Sequence, residues 1–390
     1  MSDFDRMEQS MPIGPLKLAV LESCKEFGQA VDRHIVEMRR SYAGSLPHIH
    51  PEYLMDSYIL DCECSRFGSG EGKGFINESV RGKDLYILVD VCNYSLTYKV
   101  CGHLNHMSPD NHYQDLKRII SAATGKAKRI NVVMPFLYEG RQHKRNKRES
   151  LDCSLALQEL RDMGVSNIIT FDAHDPRVQN AIPLSGFDSF MATFQFLRAL
   201  VDTVPDFRID PEHLMVISPD EGAMSRAVYF ANIMGVDMGM FYKRRDYTTI
   251  VNGKNPIVAH EFLGDSVEGK DVVIIDDMIS SGGSMLDTAR QLKERKAKRV
   301  FICTTFGLFT DGLAEFDEYY EKGYFTKIVT TNLNYRTPEL LTKPYYTEAD
   351  MSRFLAMIIE CMNHDMSMSK VESPTEKINE LLNAYRQGTI

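Results

Sequence analysis

No stretch of this 390-residue chain approaches the roughly 18–20 consecutive apolar residues needed to cross a bilayer. A membrane span is therefore not expected. Cysteine is scarce: eight are scattered along the chain without the pattern of a disulfide framework, which suits a reducing cytoplasm. The stretches Cys62-Glu-Cys64 and Cys101-Gly-His103-Leu-Asn-His106 lack the second matching pair that zinc sites use. The opening MSDFDRMEQSMP is acidic and polar, unlike a secretory signal. Positive charge is in deficit too. The formal net charge of −9 argues against wholesale nucleic-acid binding. Low-complexity tracts and short-period repeats are also lacking. What remains is 43% hydrophobic and 25% charged, the balance of a soluble globular protein. Its length favours two domains over one.

Apolar runs alternate with helical patterns. The runs are LKLAVLE (16–22), LYILVDV (85–91), RINVVMPF (129–136), NIITFDA (167–173), HLMVISPD (213–220), DVVIIDD (271–277), RVFICTTFG (299–307) and TKIVTTN (326–332). Amphipathic stretches such as SLALQELRDMG (154–164) and SMLDTARQLKER (284–295) fall between them. Short unalternating strands with intervening helices predict an α/β protein with largely parallel sheets. The series divides into an α/β unit over 13–186 and a second over 187–350, followed by a C-terminal helix and tail over 351–390.

In open parallel sheets, ligands sit beyond the carboxyl ends of the strands. Asp276 and Asp277 fall there, in VVIIDDMISSGGS. Two unpaired carboxylates are costly to bury, so they should face solvent, a cation or sugar hydroxyls. The loop that follows, Ser280-Ser281-Gly282-Gly283-Ser284, is small enough for its backbone N–H groups to wrap an anion. A helix opening near Ser284 adds its positive dipole end. Carboxylates for a diol and a cradle for a phosphate together describe a ribose-phosphate site. The glycine-rich GSGEGKG (68–74) fits neither a P-loop nor a dinucleotide fingerprint and reads as a turn between strands. The basic run Arg141-Gln142-His143-Lys144-Arg145-Asn146-Lys147-Arg148 has no aromatic stacking platform nearby. It stands alone in an acidic chain, against a nucleic-acid role.

The aspartate-pair loop resembles the ribose-5-phosphate loop of the type I phosphoribosyltransferase fold. Taken with PFLYEGRQHKR (135–145), ITFDAHD (169–175), VISPDEGAMSR (216–226) and YKRR (242–245), the chain resembles the ribose-phosphate pyrophosphokinase family. That resemblance implies two tandem phosphoribosyltransferase-like domains, each a mostly parallel sheet flanked by helices. It also implies transfer of the β,γ-diphosphoryl group of Mg-ATP to the anomeric hydroxyl of ribose 5-phosphate. By resemblance, His174 lies near Mg²⁺ and the terminal phosphates, and Asp220 ligates Mg²⁺ or holds the ribose. Asp276, Asp277 and the 280–284 loop bind the sugar phosphate. Lys243 and Arg245, placed after the strand DMGMFY and before a long closing loop, stabilise charge on the transferring group. Arg141 and Gln142 grip ATP phosphates. Phe67 and Glu71 contact adenine across a subunit boundary, which implies a homo-oligomer, by family habit a hexamer. The chain departs from the family pattern at Ser69 and Ser280, where aspartate is usual. Two alternatives stay open: a non-catalytic regulatory homologue, and a phosphoribosyltransferase acting on a nucleobase.

Overall fold

The computed structural model describes residues 11–43, 51–245, 257–369 and 375–387, with backbone alone for 243–245, 257–260 and 386. The chain forms two compact units. The first comprises residues up to Met191 with Asn332–Tyr335 and Asp350–Ser373; the second comprises Ala192–Thr331, Arg336–Ala349 and the segment from Pro374.

In chain order the first unit contains β1 (Leu16–Val20), a hairpin of β2 (Cys62–Arg66) and β3 (Gly72–Ile76), and β4 (Asp84–Leu88). A second hairpin of β5 (Thr97–Val100) and β6 (His103–His106) follows, then β7 (Arg129–Val133), β8 (Asn167–Phe171) and β9 (Gly186–Phe190). The central sheet runs β1-β4-β7-β8-β9, and every neighbouring pair is parallel. All five residues of β4 are buried, as expected of a strand covered on both faces. Helices α1 (Lys25–Ala43), α2 (Pro109–Ala123) and α3 (Asp152–Asp162) flank it. The unit is completed from far along the chain by helix Ser352–Asn363. Arg39 and Glu360, both fully buried, join α1 to that helix at 2.8 Å, and Arg39 Nη2 also donates to Asn363 Oδ1 at 2.7 Å.

The second unit carries β10 (Leu214–Ser218), β11 (Asp237–Arg245), β12 (Ile257–Leu263), β13 (Asp271–Ile279), β14 (Arg299–Gly307), β15 (Lys327–Thr331) and β16 (Tyr346–Ala349). Their order is β12-β11-β10-β13-β14-β15-β16. β12 pairs antiparallel with β11, and the remaining pairs are parallel. Helices α4 (Thr193–Thr203), α5 (Met224–Met234), α6 (Gly283–Glu294) and α7 (Ala314–Glu321) pack with it. From β10 the chain goes out to β11 on one side, while β13 pairs on the other. The carboxyl ends of β10 and β13 thus flank a topological switch point, where ligands of such sheets bind.

The structure adjusts two expectations. Lys243 and Arg245 do not follow their strand: the backbone of both lies within β11, paired with His260 and Ile257. The expected closing loop is in part a strand, because IVAHEFL forms β12; residues 246–256 lie outside the described residues. Pairing satisfies backbone groups along an otherwise open sheet edge, and the β-branched Ile257 and Val258 suit that conformation.

Candidate active site

Asp276 and Asp277 occupy the last turn of pleat in β13, which continues two residues beyond them to Ile279. Successive strand residues point to opposite faces, so the pair does not form a single two-pronged clamp. Asp277 is only 4% exposed, and its backbone N–H donates to Asp276 Oδ1 at 2.8 Å. Burial first, then repulsion from Asp277, pushes the Asp276 carboxyl well above the usual range, and Asp220 adds to the repulsion. Asp276 and Asp220, at the ends of β13 and β10, are therefore near enough to repel, and Asp277 adds to the repulsion from the opposite face of its strand. Arg226 of α5, 8% exposed, brings its Nη2 to 3.8 Å from Asp277 Oδ2. Sequence reasoning gave Arg226 no role. Its signal was an arginine on the buried face of a helix, in the first turn and six residues after Asp220.

Asp220 is positioned by a tight turn. Its Oδ1 accepts from the N–H groups of Gly222 at 2.9 Å and Ala223 at 3.3 Å, while its backbone carbonyl accepts from Ser218 Oγ at 2.7 Å. One carboxylate oxygen thus holds the turn, and the side chain is only partly covered.

The loop after β13 is pinned by backbone bonds. Leu308 N–H donates to the Ile279 carbonyl at 2.8 Å, and Thr310 N–H to the Ser280 carbonyl at 3.0 Å. Gly282 caps α6 at φ 96°, and no side-chain hydrogen bond caps the helix among the described residues. The two glycines differ physically. A Cβ on Gly282 would lie 2.1 Å from Phe316 Cζ, whereas none of the described atoms comes within 4 Å of the place a Gly283 Cβ would take. The fold requires glycine at 282 and leaves open space at 283. A helix start with open space beside it is the kind of place where backbone N–H groups can hold an anion.

In the first unit, His174 lies just past β8, after Asp172 at φ 42°; the strand ends at Phe171, one residue before that aspartate. Arg141 and Gln142 follow the neighbouring β7. Arg141 is exposed. Gln142 is committed in part to its own loop, for its Nε2 donates to the Ser150 carbonyl at 2.8 Å. The next residue, His143, stacks at a tilt against His174 with ring centroids 5.3 Å apart. Asp175 is gripped by Arg177, whose hydrogen bonds hold its carboxyl below the usual range.

Phe67 and Glu71 stand on the β2–β3 hairpin. Glu71 accepts from Ser69 Oγ at 2.8 Å, and Phe67 is 58% exposed, a large apolar side chain left toward solvent. Gly72 and Gly74 have a packing explanation: a Cβ at either would lie 2.4–2.7 Å from Arg118 of α2. A groove of about 500 Å³ beside α2, lined by Gly74, Lys117, Arg118 and Glu159 among others, contains none of the expected site residues. The backbone of Lys243 and Arg245 reaches the end of β11; their side chains lie outside the described residues.

Two largely parallel sheets, with a carboxylate pair and a small-residue loop at the switch point of the second, define a protein of the phosphoribosyltransferase fold. The second unit matches the phosphoribosyl transferase domain over residues 198–341. The first matches the N-terminal domain of ribose phosphate pyrophosphokinase over residues 16–164. Ribose-phosphate pyrophosphokinase of Corynebacterium efficiens is 31% identical over 276 residues, 68% of this chain and 77% of that protein. The Vibrio cholerae protein of the same name is 28% identical over 340 residues, 85% of this chain and 98% of its own length. The crystal structure of phosphoribosylpyrophosphate synthetase from Mycobacterium smegmatis shares the fold, with a TM-score of 0.67 at 23% identity over 90% of this chain and 99% of that one. The chain belongs to the ribose-phosphate pyrophosphokinase family.

Proposed function

We propose that this enzyme transfers the β,γ-diphosphoryl group of Mg-ATP to the anomeric hydroxyl of ribose 5-phosphate, giving phosphoribosyl pyrophosphate and AMP. The hydroxyl oxygen forms a bond to the β-phosphorus. The bond from that phosphorus to the α,β-bridging oxygen breaks, AMP leaves with its electron pair, and the hydroxyl proton is released. Such a transfer depends on positioning and charge neutralisation rather than on a covalent intermediate. The observation that carries the reading is the crowding of carboxylates at the end of β13 together with the open space at Gly283, where the following helix starts.

On this reading, Asp276 and Asp277 accept hydrogen bonds from the ribose hydroxyls. Backbone N–H groups of Gly282 and Gly283, with the hydroxyls of Ser280, Ser281 and Ser284, take the 5-phosphate. Lys243 and Arg245 stabilise charge on the transferring group. Arg141, Gln142 and His174 face the nucleotide phosphates, and Phe67 and Glu71 meet adenine from a neighbouring subunit of a homo-oligomer, a hexamer. The exposed ring of Phe67 supports that last role.

The donor set suits magnesium. Asp220 is a hard oxygen ligand, and its repulsion with Asp276 is what a nearby divalent cation relieves. Asp220 would hold it, with His174 as the second ligand. When bound, the ion neutralises charge on the phosphates. Among the described residues no helix is long and apolar enough to cross a membrane, and we place the enzyme in the cytoplasm. The division into domains at 13–186 and 187–350, with the segment 351–390 after them, belongs to the same reading.

The test is direct. Purified protein with Mg²⁺, ATP and ribose 5-phosphate should release AMP in step with sugar diphosphate. AMP that appears only when a nucleobase is added, or never appears, refutes the proposal.

A further inference from the structure

His143 has no role so far, yet it lies against two residues just past β8. Its ring centroid lies 5.3 Å from that of His174, at an interplanar angle of 57°. Its Nε2 stands 3.4 Å from Asp175 Oδ2. That carboxylate is itself fixed, for Arg177 donates to Oδ1 from its backbone N and from Nε, both at 2.9 Å, and to Oδ2 from Nη2 at 2.5 Å. The other ring nitrogen, Nδ1, is buried and has no hydrogen-bond partner among the described residues. A buried polar atom left unpaired is costly, and folded proteins keep few of them. The flanking Arg141, Lys144 and Arg145 are cationic, with Arg141, Lys144 and Arg145 all exposed, so an anion is the ligand the loop favours.

We propose that His143 is a further nucleotide-contacting residue: Asp175 fixes its ring through Nε2, and Nδ1 hydrogen-bonds a phosphate oxygen of the nucleotide beside His174. Donation to a phosphate oxygen uses a proton on Nδ1, and a bond to a charged acceptor is among the stronger ones. The Arg177–Asp175–His143 relay thus aims one donor at the phosphate chain. It costs little ordering on binding because the ring is already held. The inference rests on the reading of His174 as facing the nucleotide's terminal phosphates.

The two ring nitrogens can be tested separately, because an asparagine amide reaches about as far as Nδ1 and a glutamine amide about as far as Nε2. The affinity of the full-length enzyme for a non-hydrolysable ATP analogue with Mg²⁺ would be measured by calorimetry, alongside melting temperatures. His143→Ala and His143→Gln should each weaken binding by about tenfold to a hundredfold, the loss of one hydrogen bond to a charged group. His143→Asn should retain most of the affinity, and all three variants should melt near the wild type. Rescue by glutamine and not asparagine would assign His143 to holding its loop and overturn the inference. So would unchanged affinity in every variant, or losses confined to variants that no longer fold. Failure of the wild type itself to bind the analogue is a different result, and it removes the underlying nucleotide reading along with this one.

Discussion

Gly282 and Gly283 adjoin in the chain and should respond in opposite ways to the same methyl group. At Gly282 an alanine would have to adopt φ near 96°, which costs an L-residue about 1–2 kcal/mol. Its Cβ would also meet the Phe316 ring at 2.1 Å. That ring cannot easily retreat, being fully buried and packed edge-on against Phe309 at 5.0 Å. Overpacking of this kind adds about 1–3 kcal/mol. Gly282→Ala should therefore lose about 2–5 kcal/mol, or about 5–15 °C of melting temperature for a unit of this size. Gly283 is the first residue of α6 with open space around it. Alanine there is the better helix former by up to ~1 kcal/mol, so Gly283→Ala should melt at or slightly above the wild type. The methyl group would nevertheless fill the space assigned to the sugar phosphate. The KM for ribose 5-phosphate should rise at least about tenfold, equivalent to ~1.4 kcal/mol, with KM for ATP nearly unchanged. Thermal melts and initial rates at saturating Mg-ATP measure both effects. A Gly283→Ala enzyme with wild-type KM for the sugar would refute the phosphate assignment, and a stable Gly282→Ala enzyme would refute the steric argument.

Asp276→Asn should weaken sugar binding and, in the ligand-free protein, raise stability by about 0.5–2 kcal/mol, since a crowded charge is removed. The sign with pH follows from linkage: a carboxyl held above its ordinary range in the fold penalises the folded state increasingly as pH rises past that range. Melting of the ligand-free wild type should therefore fall more steeply with rising pH than that of Asp276→Asn; parallel curves would contradict the crowding. Lys243→Ala should lower turnover by orders of magnitude with melting unchanged, and a wild-type rate would remove that residue from the transition state. Arg39→Ala leaves Glu360 buried without its cation and should cost about 3–5 kcal/mol in denaturant titration. The double change Arg39→Met with Glu360→Leu should recover most of that. Equal losses in single and double variants would show that the pair's charge is not the issue.

The sheets were legible because their strands are continuous apolar runs. All eight runs picked out by composition are strands, since residues buried on both faces leave no alternation to misread. β9 escaped notice because GFDSF holds two aromatics among Gly, Asp and Ser, and only Phe190 is buried. β12 reads as loop in the sequence because its conformation comes from pairing with β11, which local sequence does not disclose. The loop and helix start after β13 were legible because small residues, hydroxyls and a helix-forming pattern are adjacent in the chain. The surroundings of Arg226 and His143 were not legible. Their meaning lies in the partners Asp277 and Asp175, which folding brings near from 51 and 32 positions away by residue number. Nor does any spacing reveal that Arg39 waits for Glu360, 321 residues later.

That last separation bears on how the polypeptide is made. Translation delivers α1 early, but the carboxylate that neutralises its buried guanidinium emerges only after β10–β16 have been synthesised. At about 5–20 residues per second, the nascent first sheet spends tens of seconds on the ribosome with an internal cation exposed to water or to chaperones. A nonsense codon anywhere before residue 360 would release a chain whose amino-terminal half cannot finish its own interior.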